Sequence, residues 1–377
     1  MNKKQIEGVK EVSLRAIIVA VLLVLTCVLD AHARTLEKVT FTYNRKIAVD
    51  IPALAQISQE VSQFLSTVHK SAYVQVDEGK IFQGIISFDD VKATADFLAK
   101  TARENPAWLK THWYYNTFFD FYRLYSDGTS CPAKIGKLPR GWKGAPEHHR
   151  ITTYRVCKIP GSQKKTKKHI FPLYSRPVDE QGKTPSHIRE HKKTLTRFAY
   201  TRQQIVDGAL EPGKAQVLAW VTPEGYNELV MQGSAVIDFE DGSPLTTFQA
   251  VVHNEKNVGD KYWFIAPYEK KKPSKKYPVK VDPVPGVSFA GNIPELGFGK
   301  LLVMVGKNPL TLEKEMRVGM LVDTGHAFQD NLCKFDLFTG YFENHEQSAS
   351  HARQYPHTAE MYILIKKRGR RGVASPL

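Results

Sequence analysis

The stretch that decides the fold is Gly319–Tyr341, GMLVDTGHAFQDNLCKFDLFTGY. Its first half sets two apolar residues before Asp323-Thr324-Gly325, the way an aspartic protease presents a catalytic carboxylate. That chemistry needs two aspartates close enough to share one proton, because like charges that near cannot both ionise. A single chain therefore needs a second such loop. The other Asp-Gly pairs, Asp127-Gly128 and Asp241-Gly242, sit in turn contexts without the apolar lead-in, and Gly325 is followed by His326 where a small residue is wanted. A short motif out of context is weak evidence, and the protease reading falls.

The second half continues through Phe335-Asp336-Leu337-Phe338-Thr339-Gly340-Tyr341. A DTG-x-A loop followed by an apolar-Asp-apolar-aromatic-x-Gly segment resembles the C-terminal motif of the membrane-bound lytic transglycosylase A family. Further stretches match the same family in the same order. Ile151-Thr152-Thr153-Tyr154, Pro160-Gly161-Ser162 and Phe171-Pro172-Leu173-Tyr174-Ser175-Arg176-Pro177 come first. Thr201 to Leu210, Leu218-Ala219-Trp220-Val221, Met231-Gln232-Gly233-Ser234 and Asn292 to Gly297 follow. Each piece is weak, and their collinear order over roughly 150 to 366 makes the set specific. There are departures. Asp323 and Asp336 stand thirteen residues apart, two more than is usual; Ala235 replaces a glycine; and the segment after His253 is shortened.

The resemblance implies a mainly β fold, β-rich α+β: a double-psi β-barrel-like domain with N-terminal helices (34–150 plus 285–366) into which a smaller β-barrel (151–284) is inserted. A groove between the two should hold a glycan strand. The implied reaction is non-hydrolytic cleavage of the β-1,4 bond between N-acetylmuramic acid and N-acetylglucosamine, giving a 1,6-anhydro sugar. One carboxyl group suffices, unlike the two of most glycosidases, because the attacking hydroxyl belongs to the substrate. No cofactor and no metal is called for. By the match, Asp336 is the acid/base, and the apolar Phe335, Leu337 and Phe338 around it in sequence would favour its neutral form. Asp323 is the supporting aspartate, suited by its turn to accept backbone N–H groups and fix the loop. Gln232 and Ser234 would hydrogen-bond the glycan, and Tyr154 would stack on a sugar. For Ser234 a turn role, and for Tyr154 a half-buried strand position, are equal alternatives. A non-catalytic glycan-binding protein on the same fold is the competing function, favoured by the shortened segment after His253.

The rest of the chain agrees. Its 377 residues, 42% hydrophobic and 11% aromatic, are enough for a real core and two domains. Residues 1–33 have the parts of a secretory signal: a basic start, the apolar run Ala16–Leu29 and Ala31-His32-Ala33. The run is short for a permanent anchor, and Thr26 before Cys27 is a poor lipobox residue. A net charge of +15 suits an anionic polymer or surface. Taken with the resemblance, these imply a periplasmic monomer acting on peptidoglycan strands, with peripheral or lipid-anchored association with the outer membrane left open and no nucleic-acid partner.

Locally, apolar residues at Leu54, Ile57, Val61, Phe64, Leu65 and Val68 predict a helix. Ser87 with Asp90 predicts the start of a second. Asn105-Pro106 predicts a third reaching about Tyr125, with an aromatic face for core packing or, alternatively, for sugars. From Ile151 short strands are expected, with turns at Pro160-Gly161-Ser162, Glu211-Pro212-Gly213 and Asp241-Gly242-Ser243. EKKKPSKK (269–276) reads as a linker, and 367–377 as a basic tail. His187 and His191, four apart, could bind metal on a helix, but HIREHKK reads better as a solvated charged loop. Among Cys131, Cys157 and Cys333, a Cys131–Cys157 bridge and three free thiols are equal alternatives, and Cys333 is a bystander to Asp336.

Overall fold

A computed structural model describes residues 36–41, 46–67, 78–126, 147–268, 281–329 and 331–369. The signal segment, Cys27, Cys131, the 269–276 linker, Asp330 and the tail beyond residue 369 lie outside the described residues. Among the described residues no helix is long and apolar enough to cross a membrane.

The strands, in chain order, are β1 (Leu36–Val39), β2 (Ile47–Ala48), β3 (Phe119–Leu124), β4 (His149–Ser162), β5 (Phe171–Tyr174), β6 (Val217–Val221) and β7 (Ser234–Phe239). They continue with β8 (Thr246–His253), β9 (Trp263–Pro267), β10 (Ser288–Ala290), β11 (Leu301–Lys307), β12 (Lys314–Asp323), β13 (Lys334–Phe342) and β14 (Thr358–Lys366). The protein is mainly β with helices, as the sequence predicts. It divides into two compact units. One holds Met1–Thr152, Lys275–Phe338 and Gln354–Leu377; the other holds Thr153–Ser274 and Thr339–Arg353.

In the first unit, β1, β3, β14, β11 and β12 pair antiparallel in that order. β12 then pairs parallel with both β2 and β10. The central strand β11 is Leu-Leu-Val-Met-Val-Gly-Lys, and every residue but the last is buried. An uninterrupted apolar strand of this kind needs cover on both faces. The helix Ile51–Thr67 buries Leu54, Ile57, Val61 and Leu65 at helical spacing. It packs on the helix Phe88–Glu104, which opens with the expected capping box between Ser87 and Asp90.

The third predicted helix is corrected. After a short 3-10 turn, Pro106–Lys110, the helix His112–Phe118 ends where β3 begins. Phe119-Asp-Phe-Tyr-Arg-Leu has a strand-like alternation, and pairing with β1 on one edge and β14 on the other supplies the hydrogen bonds a helix would have made internally. Its aromatic residues are core: Tyr114, Tyr115, Phe118 and Phe119 are all buried and meet Phe97 or one another edge-on and tilted.

In the second unit β4 lies parallel to β7, which continues antiparallel to β8 and β9; β6 joins β5 to the end of β4. The core gathers Ile159, Phe171, Leu173, Tyr226, Ile237 and Phe264. Two of its buried tyrosines spend their hydroxyls on backbone, Tyr262 Oη donating to Pro172 O at 2.6 Å and Tyr226 Oη accepting from Trp263 N at 2.6 Å. The expected turn at Pro160-Gly161-Ser162 is instead the end of β4. A Cβ on Gly161 would stand 2.5 Å from Ile237 Cγ2, so the glycine serves close strand approach and not a turn. The turn at Asp241-Gly242-Ser243 does form, with Gly242 at φ 78° and Ser243 N donating to Asp241 Oδ1. HIREHKK is also corrected: Pro185–Glu190 is a short exposed helix capped by Thr184. Neither cysteine alternative holds: Cys157 is a buried free thiol on β4, with Arg155 Nε 3.2 Å from its sulfur, so it is not bridged to Cys131, and Cys333 is disulfide-bonded, so the three are not all free.

Candidate active site

Asp336 projects from β13 in the first unit. The sheet's register sets its neighbours. Ala290 on β10 is opposite Asp336 on β13 and also opposite Asp323 at the end of β12. The three residues therefore form a row across three strands, and register partners point to the same face. Two strand spacings separate the aspartates, roughly 10 Å between backbones. That is too far to share a proton, so the protease arrangement does not arise.

The apolar residues beside Asp336 in sequence are not its neighbours in space. Phe335 and Leu337 are buried on the opposite face of β13, as a period of two requires. The groups that meet the carboxylate are on its own face. Thr152 of β4 hydrogen-bonds Oδ1 through its hydroxyl, and the Lys334 ammonium stands 3.2 Å from Oδ2. The Asp336 and Lys334 side chains are only 14% and 18% exposed. β4 is fixed there by Arg150 N donating to Cys333 O at 2.8 Å and Ile151 N donating to His357 O at 2.9 Å.

Asp323 closes β12. Its Oδ1 accepts the Thr324 N–H at 2.9 Å and its carbonyl accepts the Gly291 N–H at 3.0 Å. Beyond it Phe328 N donates to Gly325 O, and Asn331 ties the return to β13 by accepting Cys333 N and donating to Ala327 O. Gly291, next to Ala290, allows this row to close: a Cβ there would press on the Phe335 ring and Leu321 at 3.1–3.2 Å. Cys333 is disulfide-bonded, so it has no thiol to offer the site.

The other three predicted residues lie in the second unit. Gln232 ends the helix Pro223–Gln232, and its Oε1 accepts Arg155 N at 3.2 Å, next to Tyr154 on β4. Tyr154 is half-buried in the strand, and its carbonyl accepts the Thr339 hydroxyl at 3.1 Å. Gly233 takes the left-handed conformation, φ 84°, that lets the chain leave the helix and begin β7 at Ser234. The structure thus places Asp323 and Asp336 on one face of the first unit, and gathers Tyr154 and Gln232 in the second. His187 and His191 stack ring on ring at 4.1 Å on the exposed helix, and among the described residues no group of three or more His, Cys, Asp or Glu could hold a metal ion.

Sequence reasoning missed Lys334 and the role of Thr152. The signal for Lys334 was available: a residue two before Asp336 on a strand shares its face. Thr152 lay inside a matched stretch, but its partner 184 residues away is set only by tertiary pairing.

This fold is that of the murein transglycosylases. The chain is similar to the crystal structure of a membrane-bound lytic murein transglycosylase from Agrobacterium tumefaciens, with a TM-score of 0.55 and 15% identity over 88% of this chain and 98% of that one. It is similar also to E. coli MltA with bound chitohexaose, with a TM-score of 0.54 and 16% identity over 88% of this chain and 94% of that one. Residues 150–266 match the family model of the MltA specific insert domain. The protein is thus MltA-like in fold and carries that insert. No curated protein matches it in sequence.

Proposed function

We propose that the chain is a lytic transglycosylase that cleaves the β-1,4 bond of peptidoglycan strands with Asp336 as its single acid/base. The observation that carries the reading is the position of Asp336, mostly buried in a sheet of this fold and met by a hydroxyl and an ammonium, with Asp323 two strands away. One such carboxyl group is sufficient where the substrate brings its own nucleophile. Asp336 gives its proton to the glycosidic oxygen as the bond from C1 breaks. The carboxylate then takes the proton of the muramic C6 hydroxyl as that oxygen closes on C1. Thr152 holds one carboxylate oxygen in place. Asp323 fixes the loop that leads into β13. Gln232, Ser234 and Tyr154 contact the glycan; because the Gln232 carbonyl is engaged by Arg155 N, its amide NH2 is the group left for a sugar oxygen. The insert and the glycan held by the E. coli neighbour support a polysaccharide substrate. The reading of residues 1–33 as a secretory signal supports a periplasmic location.

A non-catalytic glycan binder is the second reading. It is favoured by the short connection from β8 to β9, which holds little besides one 3-10 turn at Val258–Asp260. Digestion of purified cell wall separates the two. Release of 1,6-anhydro-muropeptides that disappears in Asp336→Asn is the expected result. Reducing-end products would mean a hydrolase, and pelleting with the wall without release would mean a binder.

A further inference from the structure

We propose that Lys334 is a positioning residue for Asp336, held in place by the loop that follows Asp323. The inference rests on the reading of Asp336 as the acid/base. Three observations support it. Lys334 and Asp336 are two apart on β13 and share a face, with the ammonium 3.2 Å from Oδ2. Both side chains are mostly withdrawn from water, where an ion pair is weakly screened. The ammonium also stands 5.3 Å over the ring of buried Phe328, which belongs to the turn His326–Phe328 just after Asp323-Thr324-Gly325. The Asp323 loop therefore presents Phe328, Phe328 seats Lys334, and Lys334 holds Asp336.

The groups facing Asp336 can be named strand by strand. β13 contributes Lys334, β4 contributes the Thr152 hydroxyl with Arg150 on the same face, and β12 contributes Asp323 across the small Ala290 of β10. Lys334 is a cation at ion-pair distance. With the Thr152 hydroxyl on Oδ1 and the Lys334 ammonium on Oδ2, the carboxyl group is held at both oxygens. The proton count is unchanged over the cycle. What Lys334 alters is the orientation in which Oδ1 and Oδ2 meet the substrate.

The test compares initial rates of anhydro-muropeptide release at a series of wall concentrations for the full chain and for K334M, K334R and D336N, with wall pelleting and unfolding transitions recorded for each. K334M keeps the length of the side chain and its packing on Phe328; its kcat should fall about tenfold or more with KM and pelleting unchanged, as for a misoriented acid/base against a bound substrate. K334R keeps the charge and should keep most of the wild-type kcat. K334Q replaces K334M if that variant does not fold. D336N inactive, together with kcat unchanged in the neutral variants, overturns the role of Lys334 and leaves the reading of Asp336 standing. Activity retained in D336N overturns that reading, and this inference falls with it.

Discussion

His149 makes the stability of the first unit sensitive to mild acid. It is the first residue of β4, fully buried, with no hydrogen-bond partner at Nδ1 and its ring tilted against Phe335 at 5.4 Å. Burial, and then the neighbouring charges of His148 and Arg123, push its pKa down from 6.5 to about 3. The folded protein keeps the ring neutral, whereas the unfolded chain takes up a proton near pH 6.5. Protons therefore bind the unfolded state preferentially below 6.5. Stability is intact above that value and falls with acid by about 1.4 kcal/mol per pH unit until the folded value is reached. Between pH 7 and pH 5 the loss from this one residue is about 2 kcal/mol. His149→Leu removes the titration, and whatever packing it changes is the same at both pH values. Urea unfolding at pH 7 and pH 5 is the measurement. The wild-type protein should lose about 2 kcal/mol more than the variant between the two, with the other ionisable groups cancelling in the comparison. Equal losses to within about 0.5 kcal/mol would refute the argument. The effect reaches the site, because His149 lies three residues before Thr152 on the strand that holds the Asp336 carboxylate, in register with Ala359 of β14.

Two substitutions test the frame around it. Ser87→Ala removes the acceptor of the Asp90 N–H and the hydroxyl that donates to Asp90 Oδ2, so it should cost about 1 kcal/mol in thermal or urea unfolding. No change would mean that the backbone N–H at position 87 and the Arg368 guanidinium are enough to hold Asp90 at the helix start. Gly319→Ala would put a Cβ 2.3 Å from Val287 O, on backbone that cannot swing aside, where β10 and β12 run parallel. A loss of at least about 2 kcal/mol is expected, with reduced wall digestion, because this pairing carries Ala290 between the two aspartates. A stable and active variant would contradict the register described for that row.

What the sequence made legible followed from short-range chemistry. The helices Ile51–Thr67 and Phe88–Glu104 announce themselves by apolar spacing and by a capping box complete within four residues. Phe119–Leu124 was misread because its helical prelude is real, while the two strands that convert it into sheet, β1 and β14, lie about 80 and 240 residues away in the chain. Gly161 illustrates the same limit: a Pro-Gly pair is a turn signal locally, and only the approach of Ile237 makes it a strand requirement. The candidate site divides along the same line. Asp323 and Asp336 were legible because a motif carries them. The row that joins them was not, since Ala290 enters between them from a strand that no local pattern ties to either. The flanking Phe335 and Leu337 suggested an apolar environment for Asp336, yet alternation on β13 turns both away and brings Lys334 and Thr152 instead. On a strand, the residues two positions away shape a carboxylate more than those beside it, and a charged residue at that spacing is the one feature of this environment that sequence alone could have supplied.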